Sequence, residues 1–164
     1  MKTQKKTNVL RLLDQARIAY ESFAYSVSDG RTDAVSVAEK LNVPAEQVYK
    51  TLVTVSDGPA YFVFVIPAAG TLDLKAAARA AGVKSLEMLP QAKLLPLTGY
   101  VHGGCSPVGM KKPFPTFFDA SAQSLSEIFV SAGKVGMNVR VSSAELAAYT
   151  GAQFANVSKD TKVR

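Results

Sequence analysis

The sequence predicts a mixed α/β (α+β) fold in one domain spanning 1–164, and three observations carry that prediction. Two strongly β-like runs, VYKTLVTV (48–55) and YFVFVIPA (61–68), flank the turn signal SDGP (56–59), so they read as an antiparallel hairpin. Segments with a 3.6-residue apolar period lie before, between and after the strand-like runs. Strands follow one another in places and alternate with helices in others, which argues against a doubly wound parallel sheet.

The elements follow in order. Thr7 is placed to cap a helix whose apolar residues are Val9, Leu10, Leu13 and Ala16. YESFAY (20–25) reads as a short strand. TDAVSVAEKLN (32–42) reads as a second helix, capped by Thr32 or Asp33 and ending near Asn42, and Pro44 opens a further turn. After the hairpin, TLDLKAAARAAG (71–82) is a helix with Thr71 at its start and Gly82 past its end. KSLEML (84–89) reads as a strand and PQAKLL (90–95) as a short helix. PTFFDA (115–120), IFVSAG (128–133) and NVRVS (138–142) are strands. SSAELAAYTG (142–151) is a helix whose Ser142 and Glu145 have capping-box spacing, and AQFANV (152–157) is a last strand. No repeat, linker or low-complexity segment interrupts the pattern.

Composition limits the function classes. The 164 residues are 48% hydrophobic and 20% charged, ordinary for a soluble globular domain with a real core. No apolar run approaches the ~20 residues that span a bilayer, and the basic N-terminus is not followed by an apolar signal segment. One cysteine excludes an internal disulfide, which agrees with a cytoplasmic protein. The net charge of +6 favours polyanions such as RNA, and equally suits plain solubility. Part of the excess lies at the chain ends, whereas Lys111 and Lys112 adjoin a glycine-rich loop. No zinc-knuckle spacing or basic nucleic-acid-binding helix is present.

That loop, GYVHGGCSPVGMKK (99–112), holds the only histidine and the only cysteine. A catalytic Cys/His pair needs a depressed thiol pKa and an oriented base, and two glycines between His102 and Cys105 do not fix such geometry. One Cys and one His fall short of the four ligands of a structural metal site, so neither metal nor cofactor is expected. Cys105 reads as a small, half-buried residue. The glycines point to a backbone requirement, letting peptide N–H groups approach a ligand, and Ser106 has an ordinary turn role available. Lys50 is a lysine inside an apolar strand pattern. It either snorkels to solvent at a strand edge or points into a pocket toward an anion, on the face opposite Tyr49 and Thr51.

Four ordered motifs resemble the YbaK family of aminoacyl-tRNA deacylases, relatives of the editing domain of bacterial prolyl-tRNA synthetases. They are VYKTLV (48–53), TGYVHGGCSPVGMKK (98–112), PTFFDA (115–120) and VSAGKVG (130–136). The resemblance implies a mixed, barrel-like central sheet surrounded by helices. It implies a substrate, the ester at the 3′ end of a mischarged aminoacyl-tRNA, typically Cys-tRNA(Pro) and also Cys-tRNA(Cys). It implies that the substrate's own thiol attacks the ester while the protein positions it, with prolyl-tRNA synthetase as a partner. The family's essential lysine falls on Lys50, assigned to phosphate or ester-oxygen binding. Tyr25 matches the active-site tyrosine, Thr51 the residue beside the lysine, and Gly103 and Gly104 the loop whose amides hold the ester carbonyl. Ser106 and Pro107 shape that loop, and Gly133, Gly136 and Asn138 belong to the second glycine turn.

The sequence departs from relatives at Asp33, where an aromatic residue is common, at Val135, where a basic residue is usual, and at Asn138, often acidic. The resemblance places these departures along the expected pocket, which puts the amino-acid specificity in question. An Ala-tRNA(Pro)-type deacylase using water and a non-catalytic tRNA- or nucleotide-binding module of the same fold are the alternatives.

Overall fold

A computed structural model describes residues 6–160. Helix boundaries follow capping chemistry. Helix α1 (Asn8–Gln15) begins after Thr7, whose hydroxyl accepts from the Leu10 amide at 3.3 Å, and it buries Val9, Leu10 and Leu13. Ala16, read as part of its apolar face, is instead the exposed residue that ends it. Strand β1 (Tyr20–Ala24) precedes α2 (Ala34–Leu41), which Asp33 caps and Asn42 ends in the left-handed conformation at φ 61°. A 3-10 turn at Ala45–Gln47 then follows Pro44.

Strands β2 (Tyr49–Ser56) and β3 (Tyr61–Pro67) form the expected hairpin, registered from Tyr49 opposite Pro67 to Val55 opposite Tyr61. Strand β4 (Gly70–Leu72) occupies the residues expected to open the next helix, so α3 (Leu74–Ala81) starts later, capped by Asp73 through the Ala76 amide. Thr71 is drawn into β4 because that strand pairs with β10 (Ser158–Asp160), a distant segment. Next come β5 (Leu86–Met88), a 3-10 turn at Gln91–Lys93 and α4 (Leu94–Thr98). A long irregular loop leads to β6 (Thr116–Asp119). Strands β7 (Glu127–Lys134) and β8 (Met137–Ser142) precede α5 (Ser143–Thr150), whose Ser142 cap accepts from the Glu145 amide, and β9 (Gln153–Ala155).

The strands form three sheets. One has five strands in the order β5-β2-β3-β6-β9, antiparallel at β5, β2 and β3, parallel from β3 through β6 to β9. A second is the antiparallel β1-β8-β7, and the third pairs β4 with β10. The implied barrel does not close as one sheet. Among the described residues a parallel bridge between Val48 and Phe129 links the two large sheets, at the entry to β2.

Burial explains the layering. Val53, Val63, Val65 and Phe118 on one face of the five-stranded sheet pack with Ile128, Val130, Val139 and Val141 of the second sheet and with Leu13 and Leu146 of α1 and α5. The opposite face, with Phe62, Phe64, Ile66 and Phe117, packs on Ala77 and Ala78 of α3. Phe64 and Phe117 stack with centroids 5.3 Å apart. Each fully buried Phe or Ile contributes about 1.5–3 kcal/mol, so this double-sided burial fixes the hairpin that carries Lys50. A third cluster, Ala38, Val48, Ala68 and Phe129, seats α2 beside the bridge. Among the described residues no helix is long and apolar enough to cross a membrane.

Candidate functional site

Beside the bridge lies a cavity of about 310 Å³, at the lower end of the ~300–1,000 Å³ range of ligand sites. Its walls come from the β1–α2 loop and α2 (Tyr25, Thr32, Asp33, Val35), from β2 (Lys50, Thr51, Leu52) and from the glycine loop (His102, Gly103, Cys105). Ser131 of β7, Asn138 of β8 and Leu94 of α4 also contribute, as do Val48 and Tyr49 at the entry to β2.

Lys50 is half-buried, and burial lowers its pKa from 10.5 while the Asp33 charge partly offsets the shift. Among the described residues no hydrogen bond or ion pair engages its ammonium. The cation is therefore partly desolvated and available to an anionic or ester oxygen. The neighbouring Thr51 hydroxyl is buried with no hydrogen-bond partner among the described residues, a second unsatisfied polar group in a residue of the same wall. Asn138 is buried in β8, opposite Phe23 of β1 and Ser131 of β7.

The β1–α2 loop is tied down by Lys40 of α2. Its ammonium donates to the carbonyls of Ser26 and Arg31, both at 2.7 Å, and to Asp29 at 2.9 Å, and it stands 5.9 Å from the centre of the Tyr25 ring. The Tyr25 amide in turn donates to the Gly136 carbonyl at 2.9 Å. These contacts set one wall of the cavity.

The glycine loop forms another wall, and Cys105 sits in it with 8% exposure. Burial pushes its thiol pKa up to about 12, so no thiolate nucleophile is available near neutral pH. The Gly104 amide donates to the Val101 carbonyl at 2.9 Å and holds a turn, whereas the Gly103 amide has no hydrogen-bond partner among the described residues. Of the two amides expected to hold the ester carbonyl, Gly103 alone lines the cavity. A Cβ on Gly104 would lie 3.0 Å from the Val135 nitrogen and 3.1 Å from Lys134 backbone atoms, so Gly104 serves the close approach of loop and β7–β8 turn.

The cavity brings together Lys50, Tyr25, Thr51, Gly103 and Asn138 of the residues expected from sequence. Ser106, Pro107, Gly133 and Gly136 stand outside it. Ser106 is buried and its hydroxyl accepts from the Val108 amide, a turn contact. Gly133 and Gly136 adopt φ 102° and 95° at the β7 bulge and the β7–β8 turn. Sequence reasoning gave no site role to Thr32, Ser131 or the apolar wall of Val35, Leu52 and Leu94; of the three departures expected to line the pocket, Asp33 and Asn138 do and Val135 does not. Asp33 was visible as a helix cap and as a departure from relatives at the expected pocket, and nothing local signals Ser131. Among the described residues no three of His, Cys, Asp and Glu gather where they would hold a metal ion.

The sequence and the fold are similar to those of known proteins. Residues 29–149 match the family model of the aminoacyl-tRNA editing domain. The chain is 43% identical over 157 residues to an Enterococcus faecalis protein proposed to be a Cys-tRNA(Pro)/Cys-tRNA(Cys) deacylase, EbsC, covering 96% of each. It is 24% identical over 134 residues to the proline–tRNA ligase of Burkholderia multivorans, covering 79% of this chain and 23% of the ligase. The crystal structure of a proposed trans-editing enzyme for prolyl tRNA synthetase superposes with a TM-score of 0.81 at 25% identity, over 95% of this chain and 99% of the other.

Proposed function

The chain belongs to the aminoacyl-tRNA editing-domain family, and on that premise we propose that it is a trans-editing deacylase that clears cysteine from Cys-tRNA(Pro) or Cys-tRNA(Cys). One observation carries the reading. Among the described residues the cavity presents a half-buried cation without a hydrogen-bond or ion-pair partner, Lys50, and no activated nucleophile, since burial keeps the Cys105 thiol protonated. Such a site binds and positions an ester and leaves the attack to the substrate.

In this mechanism Lys50 holds a phosphate or ester oxygen of the terminal adenosine. The Gly103 amide, without a hydrogen-bond partner among the described residues, is available to the ester carbonyl as negative charge develops on it, whereas the Thr51 hydroxyl oxygen is buried. The cysteinyl sulfur bonds to the carbonyl carbon, the bond to the ribose oxygen breaks, and the thiol proton passes to that oxygen. The products are free tRNA and a cysteine thiolactone, which water opens. Intramolecular attack in a well-held geometry supplies up to about 7–11 kcal/mol of the barrier, so little further catalytic machinery is required.

In this reading the chain acts as one editing domain, in the cytoplasm and beside prolyl-tRNA synthetase. The structural likeness to a proposed trans-editing enzyme for that synthetase supports the partner. The deciding experiment is a panel of aminoacylated tRNAs treated with wild type and with Lys50→Ala. Release of cysteine by wild type and a loss of at least about 100-fold in the variant support the reading, that being the size of one charge-assisted contact. Release of alanine but not cysteine would assign attack to water. No release from any substrate would leave a binding module.

A further inference from the structure

We propose that the Asp33 carboxylate receives the α-ammonium group of the aminoacyl ester. The inference rests on the deacylase reading and adds to it the atom by which the protein recognises an amino acid as such.

Among the described residues, Asp33 is the one acidic residue lining the cavity. Its carboxyl is held below the usual carboxylate range, by hydrogen bonds from the Ser36 hydroxyl at 2.7 Å and the Ser36 amide at 3.0 Å, so it is ionised at neutral pH. An ionised carboxylate offers about four acceptor directions, and these two contacts leave about half of them open. The side chain is not closed off by packing, and no ion pair engages it among the described residues.

The second observation is the relation to Lys50. The two charges attract each other, yet among the described residues no ion pair joins them. The cavity therefore holds a fixed anion and a fixed cation that do not neutralise one another directly. The aminoacyl end of a tRNA carries the matching charges, an ammonium on the carbon next to the ester carbonyl and phosphates beyond the ribose. With the ester between them, ammonium toward Asp33 and phosphate toward Lys50, both protein charges are satisfied at once. The opposite orientation brings like charges together.

Asp73 caps α3 with a carboxylate in the same way, so what sets Asp33 apart is not the cap but its place in the cavity wall beside Lys50. A charge at this position has a consequence for selectivity. Esters whose amine is blocked, such as peptidyl-tRNA, offer Asp33 no cation and are disfavoured, which keeps the cavity from acting on growing chains.

The test uses two tRNAs that differ only in the amine, one charged with cysteine and one with 3-sulfanylpropionate, which keeps the thiol. Each is treated with wild type and with Asp33→Asn, a neutral residue that retains the cap. The loss of the amine changes the intrinsic reactivity of the ester equally for both proteins, so the ratio of ratios isolates the Asp33–ammonium coupling. The expected result is a kcat/KM preference for the cysteinyl over the sulfanylpropionyl ester that falls at least about tenfold on substitution. Asp33→Ser, a second neutral cap, repeats the measurement if the amide variant is poorly folded. The same preference in wild type and folded variant overturns the proposal and leaves the deacylase reading standing. Failure of wild type to release cysteine overturns the deacylase reading itself.

Discussion

The Lys40 ammonium and the Tyr25 ring lie 5.9 Å apart, and through that pair α2 holds the end of β1 against the cavity. Lys40 has only 15% of its side chain exposed, and its three oxygen partners all belong to the 26–31 segment. Among these, Asp29 is held well below the usual carboxylate range, chiefly by the Lys40 hydrogen bond. Lys40→Met removes every one of these contacts and keeps the aliphatic stem. The expected outcome is a KM for aminoacyl-tRNA raised about three- to tenfold with kcat within about threefold, because the wall loosens and the reacting groups stay. Faster amide exchange in residues 26–32 accompanies it. A variant with wild-type KM and unchanged exchange would show that the loop stands without this tie.

Lys50 gives a prediction about stability as a function of pH. Its folded-state pKa is lowered below 10.5 by burial, so between the two values the unfolded chain binds more protons than the folded one. Stability therefore rises with pH across that window, and below it the buried charge is a standing penalty. Lys50→Met, inactive by the reading above, is expected to melt at or above the wild-type temperature at pH 7.5. The margin narrows as pH approaches 10.5. Thermal melts at pH 7.5 and 10 measure both; a variant clearly less stable than wild type at pH 7.5 contradicts a desolvated, unpaired ammonium.

Asp119 is the structural counterpart. It is 5% exposed at the end of β6, and one carboxylate oxygen accepts from the amides of Val157 and Ser158 at 3.1 and 3.0 Å while the other accepts from Ser121. Burial pushes its pKa up, but these hydrogen bonds outweigh burial and bring it below 3.8. A depressed carboxylate contributes stability that is present above about pH 3.8 and lost as pH falls through its folded value. Asp119→Ala leaves the buried Val157 amide unpaired and is expected to cost about 2–4 kcal/mol in urea unfolding at pH 7. The difference from wild type shrinks at pH 3. Equal losses at both pH values would place the effect in packing.

These residues also show what the sequence made legible. Capping chemistry is local, so Thr7, Asp33, Asn42, Gly82 and Ser142 could be read as helix ends, and the hairpin turn at 56–60 likewise. Thr71 was misplaced because its strand exists only by pairing with residues 158–160, and no local pattern encodes a partner that far away. The glycine motifs had the same limit. Sequence shows that a residue without a side chain is required, but the cause differs: Gly104 meets the Lys134–Val135 backbone, while Gly103 faces the cavity. The family resemblance supplied Lys50 and Tyr25, which periodicity alone left open between solvent or core and site. Asp33 was legible as a helix cap and as a departure lining the expected pocket, but its electrostatic coupling to Lys50, a residue of another element, was not.

Cys105 separates this chemistry from a cysteine hydrolase. With its pKa pushed up to about 12, roughly one thiol in 10⁴–10⁵ is ionised at pH 7.5, too few for an enzyme nucleophile. Cys105→Ala is expected to keep deacylation within about threefold and to lose about 1–2 kcal/mol of stability from a buried contact. Iodoacetamide reacts slowly with the native wild type and leaves its activity intact over the same interval. Loss of cysteine release in a folded Cys105→Ala variant would move the attacking sulfur from substrate to protein.

Gly104 tests whether the loop wall depends on its seat against the second sheet. A methyl group there would stand 3.0–3.1 Å from backbone atoms of Lys134 and Val135, and neither backbone has a flexible end that can move aside. The loop would have to lift from the β7–β8 turn, carrying Gly103 and Cys105 away from Lys50 and breaking the Gly104–Val101 hydrogen bond. Overpacking of this kind costs about 1–3 kcal/mol. Gly104→Ala is therefore expected to lower stability by that amount and to cut kcat more than KM, because the amide wall moves while the Lys50 contact remains. Gly58→Ala, where an added Cβ meets nothing within 4 Å, is the control and should leave activity unchanged. A Gly104→Ala variant with wild-type kcat would show that the ester is positioned without the glycine loop.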